Sequence, residues 1–245
     1  MAISDTVSEL RASRPHLSIG VMTADLMRLG EELALLETAG ARIVHTDVAD
    51  GVFCPMFTFG PPFVKAQRTR LLKDAHLMVE EPLDKVQAFV DAGADIIAFQ
   101  VEGARQPHRV LQVLGAATNA NDPARGIVRG VALNPSTPLE TLEPLLGDLE
   151  YVLLLAINPG WGGQPFLPGM ERRFGRLRDM LAAAGREDVL VGVDGAVTKT
   201  NLVQVLGLRP DVVVTGSAVF DGKAAADNAR FMLDQARAAR PIVPA

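Results

Sequence analysis

The stretch Arg42-Ile43-Val44-His45-Thr46-Asp47-Val48, followed by Ala49-Asp50-Gly51, decides how this chain is read. It predicts a buried strand that ends in a turn. Side chains alternate faces along a strand, so Ile43, His45 and Asp47 share one face and Val44, Thr46 and Val48 the other. A His and an Asp at a strand's end fill a core badly, because burying either one unpaired is costly. They suit a metal ion well, since one offers a nitrogen and the other a carboxylate. An isolated His-x-Asp pair is more often structural than functional. The reading therefore depends on partners elsewhere in the chain.

Working outward, short apolar runs alternate with helical patterns. Further strands are predicted at Leu17 to Met22, Lys73 to Met78, Asp95 to Glu102, Val128 to Leu133, Tyr151 to Ile157, Val189 to Val193 and Val212 to Thr215. Between the first two strands, Leu26, Leu29, Leu33 and Leu36 recur at helical spacing within Asp25 to Ala39, and Gly40 ends that helix. Helices are also predicted at Pro82 to Ala92, Pro107 to Ala117, Leu139 to Leu146, Met170 to Ala183, Lys199 to Leu206 and Lys223 to Ala239. Eight strands alternating with helices imply an α/β fold, a parallel sheet closed into a (β/α)8 TIM barrel. The open doubly wound sheet is the alternative, because periodicity does not show closure. The 245 residues match the roughly 250 typical of such a barrel. Residues 1–16 read as a polar extension with a short helix, and 17–240 as a single barrel domain.

Composition narrows the function. A net charge of −5 argues against a nucleic-acid-binding surface. No apolar run reaches the ~18 residues of a membrane span. Met1-Ala2-Ile3-Ser4-Asp5 lacks the features of a signal peptide. The single cysteine, Cys54, excludes an internal disulfide and fits a reducing cytoplasm; it reads as a buried structural thiol rather than a nucleophile.

The unusual residues gather at the C-terminal ends of strands, where barrel active sites lie. Two of the four histidines, His45 and His76, sit near the ends of neighbouring strands. Asp194 ends the seventh strand; with Val189, Val191 and Val193 facing the helices, it points inward. His45, Asp47, His76 and Asp194 together suit one divalent metal, zinc first, with manganese, iron or cobalt as alternatives. Glycine is the second signal. Asn158-Pro159-Gly160-Trp161-Gly162-Gly163-Gln164 follows the sixth strand, Gly195 the seventh, and Gly216-Ser217 the eighth. Glycines let backbone N–H groups approach an anion closely, and barrels often hold phosphate after their last strands.

These motifs, with Thr23-Ala24-Asp25, Thr58-Phe59-Gly60-Pro61-Pro62, His76-Leu77-Met78, Asn134-Pro135-Ser136-Thr137-Pro138 and Val193-Asp194-Gly195, make the chain resemble the ribulose-phosphate 3-epimerase family from about Leu17 to Phe231. The resemblance implies a ribulose-phosphate-binding barrel that interconverts D-ribulose 5-phosphate and D-xylulose 5-phosphate, within the pentose phosphate pathway. It implies a metal on His45, Asp47, His76 and Asp194, with Asp47 and Asp194 as the paired acid and base. It implies substrate contacts from His76, Met78, Gly160 and Trp161, and a phosphate on the backbone around Gly162, Gly163, Gly195, Ala196, Gly216 and Ser217. A homo-oligomer is also expected.

The chain departs from the family's pattern around the sugar. A substrate-contacting Ser of the first strand is Gly20, two Met positions are Ala49 and Leu155, a fourth-strand His is Gln100, and the second Gly of an Asp-Gly-Gly is Ala196. Reaction type is thus better defined than substrate. One alternative is a 3-epimerase of another ketose phosphate, such as allulose 6-phosphate. Others are a phosphate-binding barrel with lyase or decarboxylase chemistry, and a sugar-phosphate sensor. The lyase reading calls for a lysine at a strand's end, whereas Lys73 starts its strand.

Overall fold

The structure is a computed structural model that describes residues 5–239. The opening residues 1–4, which carry most of the segment lacking signal-peptide features, and residue 240 of the expected barrel domain lie outside the described residues. The strands are β1 (His16–Gly20), β2 (Ile43–Ala49), β3 (Leu72–Met78), β4 (Ile96–Gln100), β5 (Val128–Leu133), β6 (Tyr151–Leu155), β7 (Leu190–Asp194) and β8 (Val212–Thr215). Each pairs in parallel with the next, and β8 pairs with β1 to close the barrel. Closure excludes the open sheet.

Outward-facing side chains such as Val44, Val48, Val191 and Val193 join the apolar layer beneath the helices. Inward-facing ones, including Ile43, Ile96, Tyr151, Leu153 and Val212, fill the barrel's lower interior. The alternation expected of β2 and β7 is therefore the observed one.

The helices are α1 (Asp5–Ala12), α2 (Leu29–Ala39), α3 (Pro61–Ala66), α4 (Val86–Asp91), α5 (Pro107–Ala116), α6 (Met170–Ala183), α7 (Leu202–Gly207) and α8 (Ala225–Ala238). Gly40 ends α2 in the left-handed conformation, where a side chain would be strained. The segment Leu139–Leu145, between β5 and β6, is a 3₁₀ helix rather than an α-helix. Pro144 lies inside it and lacks the N–H that an α-helical turn needs.

Helix α1 does more than extend the chain. Its Val7 and Leu10 are fully buried within the barrel's interior cluster, and the Leu10 carbonyl lies 3.0 Å from His16 Nε2. The helix closes the N-terminal end of the barrel. The opposite, C-terminal mouth stays open, and Asp47 and Asp194 are partly exposed there.

Candidate active site

Register builds the site before any side chain is considered. Across β2 and β3, His45 pairs with Asp74 and Asp47 with His76. All four side chains are two residues apart along their strands, so all four point into the barrel. Two polar pairs are stacked, one below the other.

In the lower pair, His45 Nδ1 donates to Asp74 Oδ2 at 2.8 Å, and Ser18 Oγ of β1 donates to the same oxygen at 2.7 Å. This turns His45 Nε2 toward Asp47 Oδ1, 3.2 Å away. In the upper pair, His76 Nδ1 lies 3.3 Å from Asp47 Oδ1 and 3.5 Å from Asp194 Oδ2. Gln100, with its amide oriented to satisfy its neighbours, accepts from His76 Nε2 at 3.3 Å and donates to Ala132 O and Glu102 Oε2. Each histidine thus has one nitrogen fixed by a partner and the other turned to the cluster, His45 to Asp47 and His76 to both Asp47 and Asp194. That is the arrangement by which a metal-ligating imidazole is usually oriented.

Electrostatics agrees with the geometry. Burial disfavours a charged His45, but the Asp74 and Asp47 carboxylates outweigh it and raise the ring's pKa well above the ordinary imidazole value. Burial likewise lowers His76, and Asp194 and Asp47 reverse the sign. Burial pushes the Asp47 carboxyl up, yet the two histidines hold it below the usual carboxylate range. The cluster favours positive charge at its centre. One ligand atom from each of His45, Asp47, His76 and Asp194 falls within a 4.8 Å group. Neighbouring ligands about 2.1 Å from one ion sit roughly 3.0–3.4 Å apart, close to the 3.2, 3.3 and 3.5 Å separations of the three contacting pairs. The donor set fits a divalent ion.

The loops that frame the mouth are held by their own side chains. Thr58 Oγ1 donates to Asp47 O and accepts from Ala49 N, fixing the end of β2. Asp50 accepts from the backbone of Val52, Phe53 and Glu80. Gln164 spans the loop after β6: its amide donates to the Asn158 and Trp161 carbonyls, and its oxygen accepts from Asn158. Cys54 is buried, burial raises its thiol pKa, and it packs where a side chain on Gly160 would sit.

A pocket of about 190 Å³ opens above the cluster. Asp47 and Asp194 line it, with Met78, Gly160, Trp161, Gly162, Gly195, Ala196, Gly216 and Ser217 from the expected set. His45 and His76 are fully buried behind the carboxylates, and Gly163 lies outside the lining. Met22, Met56, Ile157 and Val214 complete an apolar wall that the sequence reading did not assign to the site, with Thr23 of the Thr23-Ala24-Asp25 motif beside them. Gly20 and Leu155, two of the departures, face the pocket; Ala49 and Gln100 lie outside the lining.

The late glycines divide into two kinds. A Cβ at Gly195 would meet Ile157 at 2.5 Å, and one at Gly216 would meet the Gly20 carbonyl at 2.9 Å. Those two are required by packing. Gly162 has open space around it. Lys73 Nζ donates to Val64 O, outside the barrel's interior, so it is not the lysine of a lyase site.

A closed (β/α)8 barrel with a two-His, two-Asp cluster under an open pocket defines a barrel enzyme with a metal-type site. A sequence model of the Ribulose-phosphate 3 epimerase family matches residues 16–220. The chain belongs to that family and is an epimerase. It is 38% identical over 202 residues to the ribulose-phosphate 3-epimerase of Bacillus subtilis (strain 168), covering 82% of this chain and 89% of that one. It is 37% identical over 225 residues to the putative epimerase LsrE of Salmonella paratyphi A, covering 90% and 87%. Among solved structures, KGPDC from Streptococcus mutans superposes with a TM-score of 0.64 at 14% identity, covering 93% of this chain and 99% of that one. At that identity the likeness shows the fold alone.

Proposed function

We propose that this epimerase inverts C3 of a ketose phosphate, D-ribulose 5-phosphate to D-xylulose 5-phosphate, using a divalent metal and two aspartates. One observation carries the reading. Asp47 and Asp194 reach the pocket from β2 and β7, strands three places apart around the barrel, and His76 Nδ1 lies within 3.5 Å of both. Two carboxylates on separate walls are what inversion needs. One takes the proton α to the ketone, and the other returns a proton to the opposite face. A positioned base contributes roughly 10²–10⁴-fold.

His45, Asp47, His76 and Asp194 would hold the ion, zinc by first choice. When bound, a divalent ion supplies Lewis-acid stabilisation of the negative charge that builds on the ketose oxygens. Gly195, Ala196, Gly216 and Ser217 would receive the phosphate through backbone N–H groups and a hydroxyl. Pocket-facing Met78, Leu155 and Val214 keep water from the reacting carbon.

A second substrate is favoured by one observation. A Cβ at Gly20 would find its nearest neighbour at 3.6 Å, so the family's Ser would fit there and is missing. The wall has lost a hydroxyl, not space, which supports a ketose phosphate with a different hydroxyl pattern, such as allulose 6-phosphate. The exposed apolar side chains Met27, Val52 and Phe57 support a homo-oligomer, since a second copy can cover them; light scattering checks it. Among the described residues no helix is long and apolar enough to cross a membrane, and the lone buried thiol suits a cytoplasmic setting.

The test is a panel of ketose phosphates in deuterated water, following label at C3. Deuterium at C3 of the epimerised product is expected. Product formed without label there overturns the two-aspartate route.

A further inference from the structure

We propose that Tyr151 is a positioning residue for the metal centre: through one buried water it holds Asp74, and through Asp74 it orients His45. This rests on the metal reading above.

Tyr151 opens β6 and lies inside the barrel, 1% exposed. The neighbouring strands make room for its ring. A Cβ at Gly130 of β5 would come within 3.0 Å of Tyr151 Cδ1, and one at Gly192 of β7 within 2.4 Å of its hydroxyl. The hydroxyl itself has no hydrogen-bond partner. A buried hydroxyl left unpaired costs about 1–3 kcal/mol, and a Phe would fill the same space without that cost.

The missing partner lies across the barrel. Strands of such a barrel shift by about one residue at each step around the closed sheet. Following the register from strand to strand places Ser18, Asp74, Gly130 and Gly192 in one layer, with Tyr151 one residue below. The ring passes between the two glycines toward the side that carries Ser18 and Asp74. Asp74 Oδ2 already accepts from Ser18 and His45, while Asp74 Oδ1 is buried and has no partner. A donor and an acceptor, both unsatisfied, thus lie inside the barrel at adjacent levels with no direct hydrogen bond between them. One ordered water satisfies both, as internal waters in proteins do. Burial and the Asp74 charge both push the phenol's ionisation well up, so it stays a neutral donor.

The link matters because Asp74 has no other restraint on Oδ1. With that oxygen held, the carboxylate plane keeps Oδ2 on His45 Nδ1 and leaves Nε2 directed at Asp47. Partners one step behind a ligand typically change metal affinity by about 10–100-fold. Tyr151 stands two steps behind, and its removal should cost about 3- to 10-fold.

The experiment is Tyr151→Phe in the full chain. Zinc affinity is measured by competition with a chromophoric chelator, melting temperature is measured without metal, and a high-resolution crystal structure of the wild type is determined. The expected results are a 3- to 10-fold weaker zinc affinity, near-unchanged melting of the metal-free protein, and a water bonded to Tyr151 Oη and Asp74 Oδ1. The same substitution in an Asp74→Asn background should have no further effect on zinc affinity. Unchanged zinc affinity in Tyr151→Phe, or a wild-type hydroxyl facing only apolar atoms, overturns the inference. If Asp74→Asn does not fold, the single variant and the wild-type crystal structure still decide. Failure of the wild type itself to bind zinc would instead overturn the metal reading.

Discussion

The two halves of the barrel mouth are built in opposite ways. On the β2–β3 half, chemistry sits in side chains that project from strands, and each is fixed by another side chain. His45 has Asp74 and Ser18 behind it, and His76 has Gln100 and Glu102. On the β6–β8 half, Asp194 apart, the pocket is lined largely by loop backbone: Gly160, Gly162, Gly195 and Gly216 bring the main chain itself to its wall. Side chains on strands give direction and charge, which a metal and a stereospecific proton transfer require. Backbone N–H groups give short, neutral, non-titrating donors, which suit a phosphate. The consequence is that substitutions in the His/Asp cluster, Asp194 of β7 included, should strike kcat and metal content, and those in the loops after β6, β7 and β8 should strike KM.

The largest expected effect is on the two carboxylates. Asp47→Asn and Asp194→Asn should each lower kcat by about 10³-fold or more, since an amide cannot accept the C3 proton and a positioned base alone contributes roughly 10²–10⁴. Metal content must be measured beside activity, because both residues belong to the ligand cluster. A metal-loaded Asp194→Asn that still exchanges C3–H with deuterated solvent, without inverting the centre, would identify it as the far-side donor. Wild-type kcat in either variant would break the comparison outright.

Next in size is the pH dependence of metal binding. His45 and His76 hold protons above the ordinary imidazole pKa in the metal-free protein. A metal needs both rings deprotonated, so binding releases protons and weakens as pH falls. Because both pKa values are raised, the weakening should begin above pH ~6.5, the value for a free imidazole. Zinc titrations at several pH values, with proton release followed by an indicator dye, check this. Affinity that stays flat between pH 8 and pH 6 would contradict the protonated, metal-free cluster.

The half proposed to take the phosphate is probed at Gly162 and Ser217, which line the pocket. Gly216 is the poorer choice, because a side chain there collides with the Gly20 carbonyl and would move β1 as well. Gly162→Val or Ser217→Asp should raise KM for the phosphorylated ketose about 10-fold, the acidic variant by repelling the dianion. Zinc affinity should not change. A fall in kcat with KM unchanged would mean that the halves are not separable.

How far the sequence was legible follows the same division. Alternation in Ile43–Val48 and Val189–Val193 gave the inward faces and hence His45, Asp47 and Asp194, because side-chain direction is local information. Asp74, Ser18 and Tyr151 were passed over, although Asp74 stands two residues before His76. Their partners are set by inter-strand register, which periodicity does not contain. The plug formed by Val7 and Leu10 was hidden for a similar reason: a short polar helix shows nothing of the cavity that it closes. The late glycines were visible as a group, but only the structure separates Gly195 and Gly216, which packing requires, from Gly162, which it does not.

Ala196 offers the smallest and most delicate test of the phosphate half. It stands beside Gly195, where the family has a second glycine, and adopts φ +53°. That is the left-handed region, which costs an L-residue roughly 1–2 kcal/mol. Asn201 Nδ2 donates to the Ala196 carbonyl at 2.9 Å, and Asn201 Oδ1 accepts from Thr198 N, so the turn is held in this conformation from behind. Glycine would relieve the strain but gain more freedom in the unfolded chain, a cost of about 0.4–1 kcal/mol. The two terms nearly cancel, with strain the larger. Ala196→Gly should therefore raise the melting temperature slightly or leave it unchanged, and KM for the phosphorylated ketose should stay within about twofold. A loss of several degrees would show that the Ala methyl packs against something that its φ does not reveal. A KM shift well beyond twofold would show that the methyl touches the substrate, and the phosphate half would then owe part of its recognition to a side chain.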